Sequence, residues 1–171
     1  HIHGVSVVKA GFIVACSSVG WSIAAISVSG VNEANDRNMI RTGSLLLVLS
    51  VLGFVVFISS GPFPLLAILA LIEGAGFGVA WASILRRMLR LACDGDRERI
   101  SAAIPTIQRL GYAVGAAWIG IFANAQGLDI NGSIVSIKNA ATGVFAACLP
   151  FAFVGLFAAV RFTASNRRGY S

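Results

Sequence analysis

Charge is what this sequence has least of. Of its 171 residues only 12% are Asp, Glu, Lys or Arg, while 57% are hydrophobic; a soluble domain carries roughly 25% charged residues. A water-facing surface cannot be built from so few charges, and a mean hydropathy of +0.84 points the same way. Histidine is nearly absent. His1 and His3 both stand at the very start, and with no third histidine to complete a set, no metal site is expected. Cys16, Cys93 and Cys148 are odd in number and match neither a disulfide framework nor a metal spacing, so they read as small apolar residues. A cofactor signature is lacking too. The run Gly74-Ala75-Gly76-Phe77-Gly78 has no following Lys and lies inside an apolar stretch, which excludes a phosphate loop.

The net charge is nevertheless +6, with an isoelectric point near 10.1. The basic residues fall between and beyond apolar stretches, chiefly at 37–41, 86–99 and 161–168. They show no aromatic-basic interleaving of the kind that stacks bases, so a nucleic-acid surface is not expected and a lipid bilayer is the expected partner.

A membrane helix needs roughly 17–25 mostly apolar residues. Five stretches qualify, at about 10–28, 42–59, 64–85, 102–125 and 140–160. The expected fold is therefore an all-α membrane protein with five transmembrane helices. Arg and Lys alternate between the connections. Arg37 and Arg41 lie before the second stretch, and the segment 86–99 holds Arg86, Arg87, Arg90, Arg97 and Arg99. The tail holds Arg161, Arg167 and Arg168, whereas 59–64 has none and 127–139 only Lys138. The positive-inside rule then puts 30–41, 86–99 and the C-terminus in the cytoplasm. Asn131-Gly132-Ser133 fits a glycosylation sequon on the opposite side, but short connections of this kind suit a bacterial membrane. The chain starts without Met or signal peptide and is expected to be a piece of a longer protein.

Within the apolar stretches a few residues stand out. Ala70, Gly74, Gly78 and Ala82 recur every four positions, and Gly111 and Gly115 repeat the spacing. Such small-residue stripes allow close helix packing. Glu73 is the one acid inside a span, roughly 14 Å from Pro64 at 1.5 Å per residue. A carboxylate at that depth is costly. It is either a functional, proton-linked group or a structural carboxyl hydrogen-bonded to a neighbouring helix. Phe77 and Trp81 follow it on the same face, and an acid beside two aromatics suits a cationic or amphipathic ligand. Trp21 and Ser22, one turn after Ser17 and Ser18, are a second candidate cavity lining. Gln108 and Arg109 lie roughly 12 Å into the fourth stretch from Ser101, with Pro105 one turn earlier as a possible bend. Arg109 either snorkels to the surface or faces the bundle, where its depth would let it meet Glu73.

Three segments resemble the C-terminal half of a major facilitator superfamily transporter, closest to bacterial multidrug-type drug:proton antiporters. They are Gly4-Val5-Ser6 with Ala10-Gly11 and Gly20-Trp21; Asp36-Arg37 with Arg41 and Gly43; and Glu73 to Gly78 with Ser101-Ala102-Ala103 and Gln108 to Ala117. Met39 stands where that family's loop motif usually has Gly. The resemblance implies that 1–171 is most of a C-terminal six-helix bundle, with an N-terminal bundle elsewhere in the same chain. It also implies alternating access about a cavity lined by Glu73, Trp81, Trp21, Gln108 and Arg109, and protons as the coupling ion. The expectation is thus a secondary active transporter of the bacterial inner membrane, exporting small organic compounds, without cofactor or metal. Uptake of a metabolite or sugar, or a non-transporting scaffold, are the alternatives. A membrane enzyme would need a cluster of His, Asp, Cys or Ser, and is not expected.

Overall fold

The computed structural model describes residues 7–93, 95–126 and 134–164. These form five α-helices: α1 (Val7–Ser29), α2 (Asp36–Phe57), α3 (Phe63–Leu91), α4 (Arg97–Ala125) and α5 (Ile134–Ala164), with one 3-10 turn at Glu33–Asn35. No strand occurs among the described residues. The start of the chain, the sequon around Asn131, and Arg167 and Arg168 lie outside the described residues.

Each helix reaches beyond at least one end of the apolar stretch that announced it, although α2 stops at Phe57, two residues short of the expected end. α2 starts at Asp36 rather than Thr42, and α3 continues to Leu91 rather than stopping at Leu85. Hydropathy marks where the chain is apolar, whereas helical hydrogen bonding continues through charged residues into the membrane interface. The segment 86–99 is consequently mostly helix. Arg86, Arg87 and Arg90 occupy the last turns of α3, and Lys138 lies on α5. Asp36 sits in the first turn of α2, where the helix dipole favours an acid. Pro62 caps α3 in an extended conformation, and Pro64 falls in its first turn, where a missing N–H costs no hydrogen bond.

Residue pairs across the interfaces fix the helix directions. Ser17 and Trp21 of α1 meet Gly74 and Gly78 of α3, so these two helices run parallel. Gly43 and Gly53 of α2 meet Gly76 and Leu69 of α3 in reverse order, and α2 is antiparallel to α3. α5 is antiparallel to α2, with Arg41 against Thr163 at one end and Phe54 stacked on Phe145 at 4.8 Å near the other. α3 is thus the shared element, packed on α1 and α2. α4 rests on α5 and barely meets α3.

Backbone contact is close because glycine permits it. A Cβ on Gly74 would fall on the Ser17 carbonyl, one on Gly20 on the Leu71 carbonyl, and one on Gly78 2.5 Å from the Trp21 carbonyl. Gly43 and Gly76 do the same between α2 and α3, at 2.6 Å and 2.8 Å from each other's carbonyls. In lipid, where apolar burial gives helices no reason to associate, such contacts and the hydrogen bonds beside them hold the bundle together. The Ser50 hydroxyl, buried between α2 and α3, donates to the Leu69 carbonyl at 2.9 Å.

Four helices, α1, α2, α3 and α5, are long and apolar enough to cross a membrane. α4, expected as a fifth span, falls short of that measure: Arg97, Glu98 and Arg99 open it, and Gln108, Arg109 and Asn124 interrupt its apolar course.

Candidate functional site

Glu73 lies ten residues into α3, about 15 Å from its start, or half the roughly 30 Å thickness of a bilayer core. It is half-buried against α1, and the Ser17 hydroxyl donates to Glu73 Oε2 at 3.0 Å. The contact exists because Gly74, the next residue, lets α1 approach until the Ser17 backbone touches α3. A small residue and an acid side by side thus put a carboxylate on an interhelical hydrogen bond. The structural reading of Glu73 as a carboxyl tied to a neighbouring helix describes this geometry. The site also leaves Glu73 only one protein hydrogen bond among the described residues.

One turn further along the same interface stand three aromatic rings. Trp21 of α1 meets Phe77 edge-on at 5.9 Å between centroids, and Phe77 stacks on Trp81 at 6.2 Å. The two tryptophans expected to line a cavity are therefore joined through Phe77. Trp81 and Phe77 also line a groove of about 540 Å³ between α2, α3 and α5, whose opposite wall carries Phe151, Gly155 and Phe162. Ser18 and Ser22 bond to carbonyls of their own helix, so of the serines near Trp21 it is Ser17 that reaches across to α3.

The α4 candidates stand apart. Gln108 donates to the Tyr112 hydroxyl at 2.9 Å within its own helix, and Arg109 is exposed. No ion pair or hydrogen bond joins Arg109 to Glu73: Glu73 faces α1, and α4 has almost no contact with α3. The expected pairing rested on equal depth, which fixes height in the membrane but not position around the bundle. Gly111 and Gly115 likewise do not serve helix packing here. A Cβ at either would meet nothing within 4 Å, and both line a second apolar cavity between α4 and α5. What joins those helices is the Trp118 indole, donating to the Ala147 carbonyl at 3.1 Å.

A polar cluster that sequence reasoning did not single out closes one end of the bundle. Asp36 is fully buried. Arg86 grips its Oδ1 with Nε at 3.0 Å and Nη2 at 2.6 Å, and Arg86 Nη1 reaches the Val28 carbonyl at the end of α1 and the Val31 carbonyl just beyond it. Arg90 stands 3.7 Å from the other carboxylate oxygen. Beside them Arg41 donates to Thr163 at 2.8 Å, tying α2 to α5. A single acid thus holds the ends of three helices. The available signal was that Arg86 and Arg90 lie one helical turn apart, on the side to which the sequence also assigns Asp36.

Fold and site together define an all-α, multi-pass membrane protein with a half-buried carboxylate and an aromatic row inside its helix interfaces. The chain is similar to two proteins of Mycobacterium tuberculosis, the probable multidrug-efflux transporters MT1670 of strain CDC 1551 / Oshkosh and Rv1634 of strain H37Rv. Each is 29% identical to it over 168 residues. The match covers 94% of this chain and 34% of theirs, so the chain spans about a third of the length of these relatives. No protein-family model matches it, and no solved structure matches it significantly.

Proposed function

We propose that this chain is part of the helical bundle of a secondary active exporter of amphipathic organic compounds. It works by alternating access in a bacterial inner membrane, with protons as the coupling ion and the major facilitator architecture as its frame. The observation that carries this reading is the Glu73–Ser17 contact at mid-membrane depth, next to the Trp21–Phe77–Trp81 row. A carboxylate beside aromatic faces attracts an organic cation, through charge and through the ring quadrupoles. One protein hydrogen bond is few for a group that must be held for structure alone, and it leaves the carboxylate able to exchange partners. The similarity to proteins described as probable multidrug-efflux transporters supports the same class. Glu73 is the coupling residue, Trp21 and Trp81 bind substrate, and Gln108 and Arg109 line the cavity from α4 in the whole protein.

The test is Glu73→Gln in the full-length protein. Glutamine keeps an acceptor for the Ser17 hydroxyl, so folding and membrane insertion are retained, but it cannot carry a proton. Cells expressing it are expected to extrude a fluorescent amphipathic cation at least about tenfold more slowly than wild type, a loss of about 1.4 kcal/mol or more in transition-state stabilisation, at equal protein level. Wild-type efflux from the variant would make Glu73 a structural carboxyl and remove it from the mechanism.

The orientation belongs to the same proposal, with the Arg-rich ends of α2 and α3 and the C-terminus in the cytoplasm. Cys93 and Ser60 are both exposed, beyond opposite ends of α3. A membrane-impermeant thiol reagent applied to intact cells is expected to label a single cysteine at position 60 and to spare one at position 93. The reverse pattern would invert the topology.

A further inference from the structure

The groove between α3 and α5 is apolar along its whole course, with Ser44 as its one polar side chain. On α3 it runs from Phe77 to Met88, eleven residues or about 16 Å. At about 540 Å³ it falls within the range of sites that take one small organic molecule.

Its end at Phe162 is marked by charge. The Arg87 guanidinium stands over the Phe162 ring, 5.3 Å from the centroid, and Phe162 is itself part of the groove wall. Arg87 is only 5% exposed, and its Nε has no hydrogen-bond partner. The nearby acid is already engaged, since Asp36 holds Arg86 through two hydrogen bonds and faces Arg90 at 3.7 Å. Arg41 has spent its Nε on Thr163. Burying a guanidinium beside an acid that two other arginines already share is expensive, and the cation–π contact offsets only part of that cost.

We infer that this groove holds an acyl chain of an anionic phospholipid, whose phosphate is met by Arg87. A chain-length apolar trough, with a buried cation stacked on the Phe162 ring that walls one end, matches an amphiphile with one negative end. A soluble anion would make no use of the trough, and a neutral lipid would make no use of Arg87. A membrane-spanning bundle has such amphiphiles against its surface at all times, and basic pockets between helices near the interface are where anionic headgroups bind. Glu73 does not line this groove, but Phe77 and Trp81 of the aromatic row do; the lipid-binding readouts involve no transport and so stand or fall apart from the proposed export.

The experiment uses the purified full-length protein in detergent, offered phosphatidylglycerol, phosphatidylcholine or glycerophosphoglycerol, with retained lipid read by native mass spectrometry and stability by melting temperature. Phosphatidylglycerol is expected to be retained in preference to phosphatidylcholine and to raise the melting temperature more, while glycerophosphoglycerol, which has the headgroup but no chains, does not bind. Arg87→Gln is expected to weaken phosphatidylglycerol binding about fivefold, the effect of about 1 kcal/mol per interfacial basic residue, and so abolish the preference. Gly155→Phe fills the groove, since a Cβ there meets nothing within 4 Å; it leaves the charges intact and should weaken retention of both lipids. Equal retention of the two lipids by the wild-type protein overturns the inference, whether or not Arg87→Gln folds. So does a preference that survives Arg87→Gln, or undiminished retention by Gly155→Phe. Binding of glycerophosphoglycerol as tight as that of the intact lipid would assign Arg87 to a soluble anion instead.

Discussion

A Gly74→Val variant is expected to lose the α1–α3 contact altogether. The position has no room for a Cβ, because the Ser17 carbonyl of α1 occupies that space. What would have to yield is the backbone of a packed helix, not the end of a side chain, so the cost exceeds the usual overpacking penalty of about 1–3 kcal/mol. Valine's intrinsic advantage over glycine within a helix, a few tenths of a kcal/mol, cannot offset this. The same displacement would pull Ser17 away from Glu73 and Trp21 away from Phe77. The measurement is the melting temperature and monodispersity of the detergent-solubilised full-length protein, with Gly111→Ala as the comparison. Gly111 has open space where its Cβ would be, so alanine there should be neutral or stabilising by up to about 1 kcal/mol. A Gly74→Val protein that melts like wild type would refute the close approach. Equal damage from Gly111→Ala would show that α4 is packed through its glycines after all.

Removing the charge of Asp36 is expected to have the second largest effect. Asp36→Asn preserves shape but leaves Arg86, and in part Arg90, facing a neutral amide inside a cluster of arginines. Breaking one partner of a buried pair costs about 3–5 kcal/mol. Arg86 is 23% and Arg90 36% exposed, and water can partly solvate both, so about 2–3 kcal/mol is expected here. Because Arg86 also binds the Val28 and Val31 carbonyls, the loss should loosen the end of α1 as well as the start of α2. The double variant Asp36→Asn/Arg86→Gln removes both charges and should recover part of the stability. Strict additivity in this cycle would mean that the ion pair contributes nothing.

The helix count was legible in the sequence because apolar runs of about twenty residues have no other explanation in so charge-poor a chain. The helix ends were not legible. Arg86, Arg87 and Arg90 look like a loop by composition, yet they continue α3 for one to two further turns. Glu73 stood out because it is the one acid within an apolar run, but its partner did not. Ser17 is 56 residues away, and nothing in either segment encodes how α1 and α3 align. The glycine stripes show the same limit from the other side. Gly74 and Gly78 are packed and Gly111 and Gly115 are not, although the spacing is identical. A stripe shows that a helix can be approached closely, not which helix approaches it. Asp36 was visible as part of a loop-motif resemblance, but its complete burial follows from arginines that come fifty residues later.

The proposal that this bundle belongs to a proton-coupled exporter is tested most directly by transport in a purified system. The full-length protein, reconstituted into proteoliposomes, would be given an imposed pH gradient and a fluorescent amphipathic cation. The account predicts that the cation accumulates on the acidic side in exchange for protons, that a protonophore abolishes accumulation, and that Glu73→Gln vesicles accumulate none above protein-free controls. Wild-type vesicles that move the cation no faster than protein-free liposomes, or accumulation that is indifferent to the pH gradient, would contradict it.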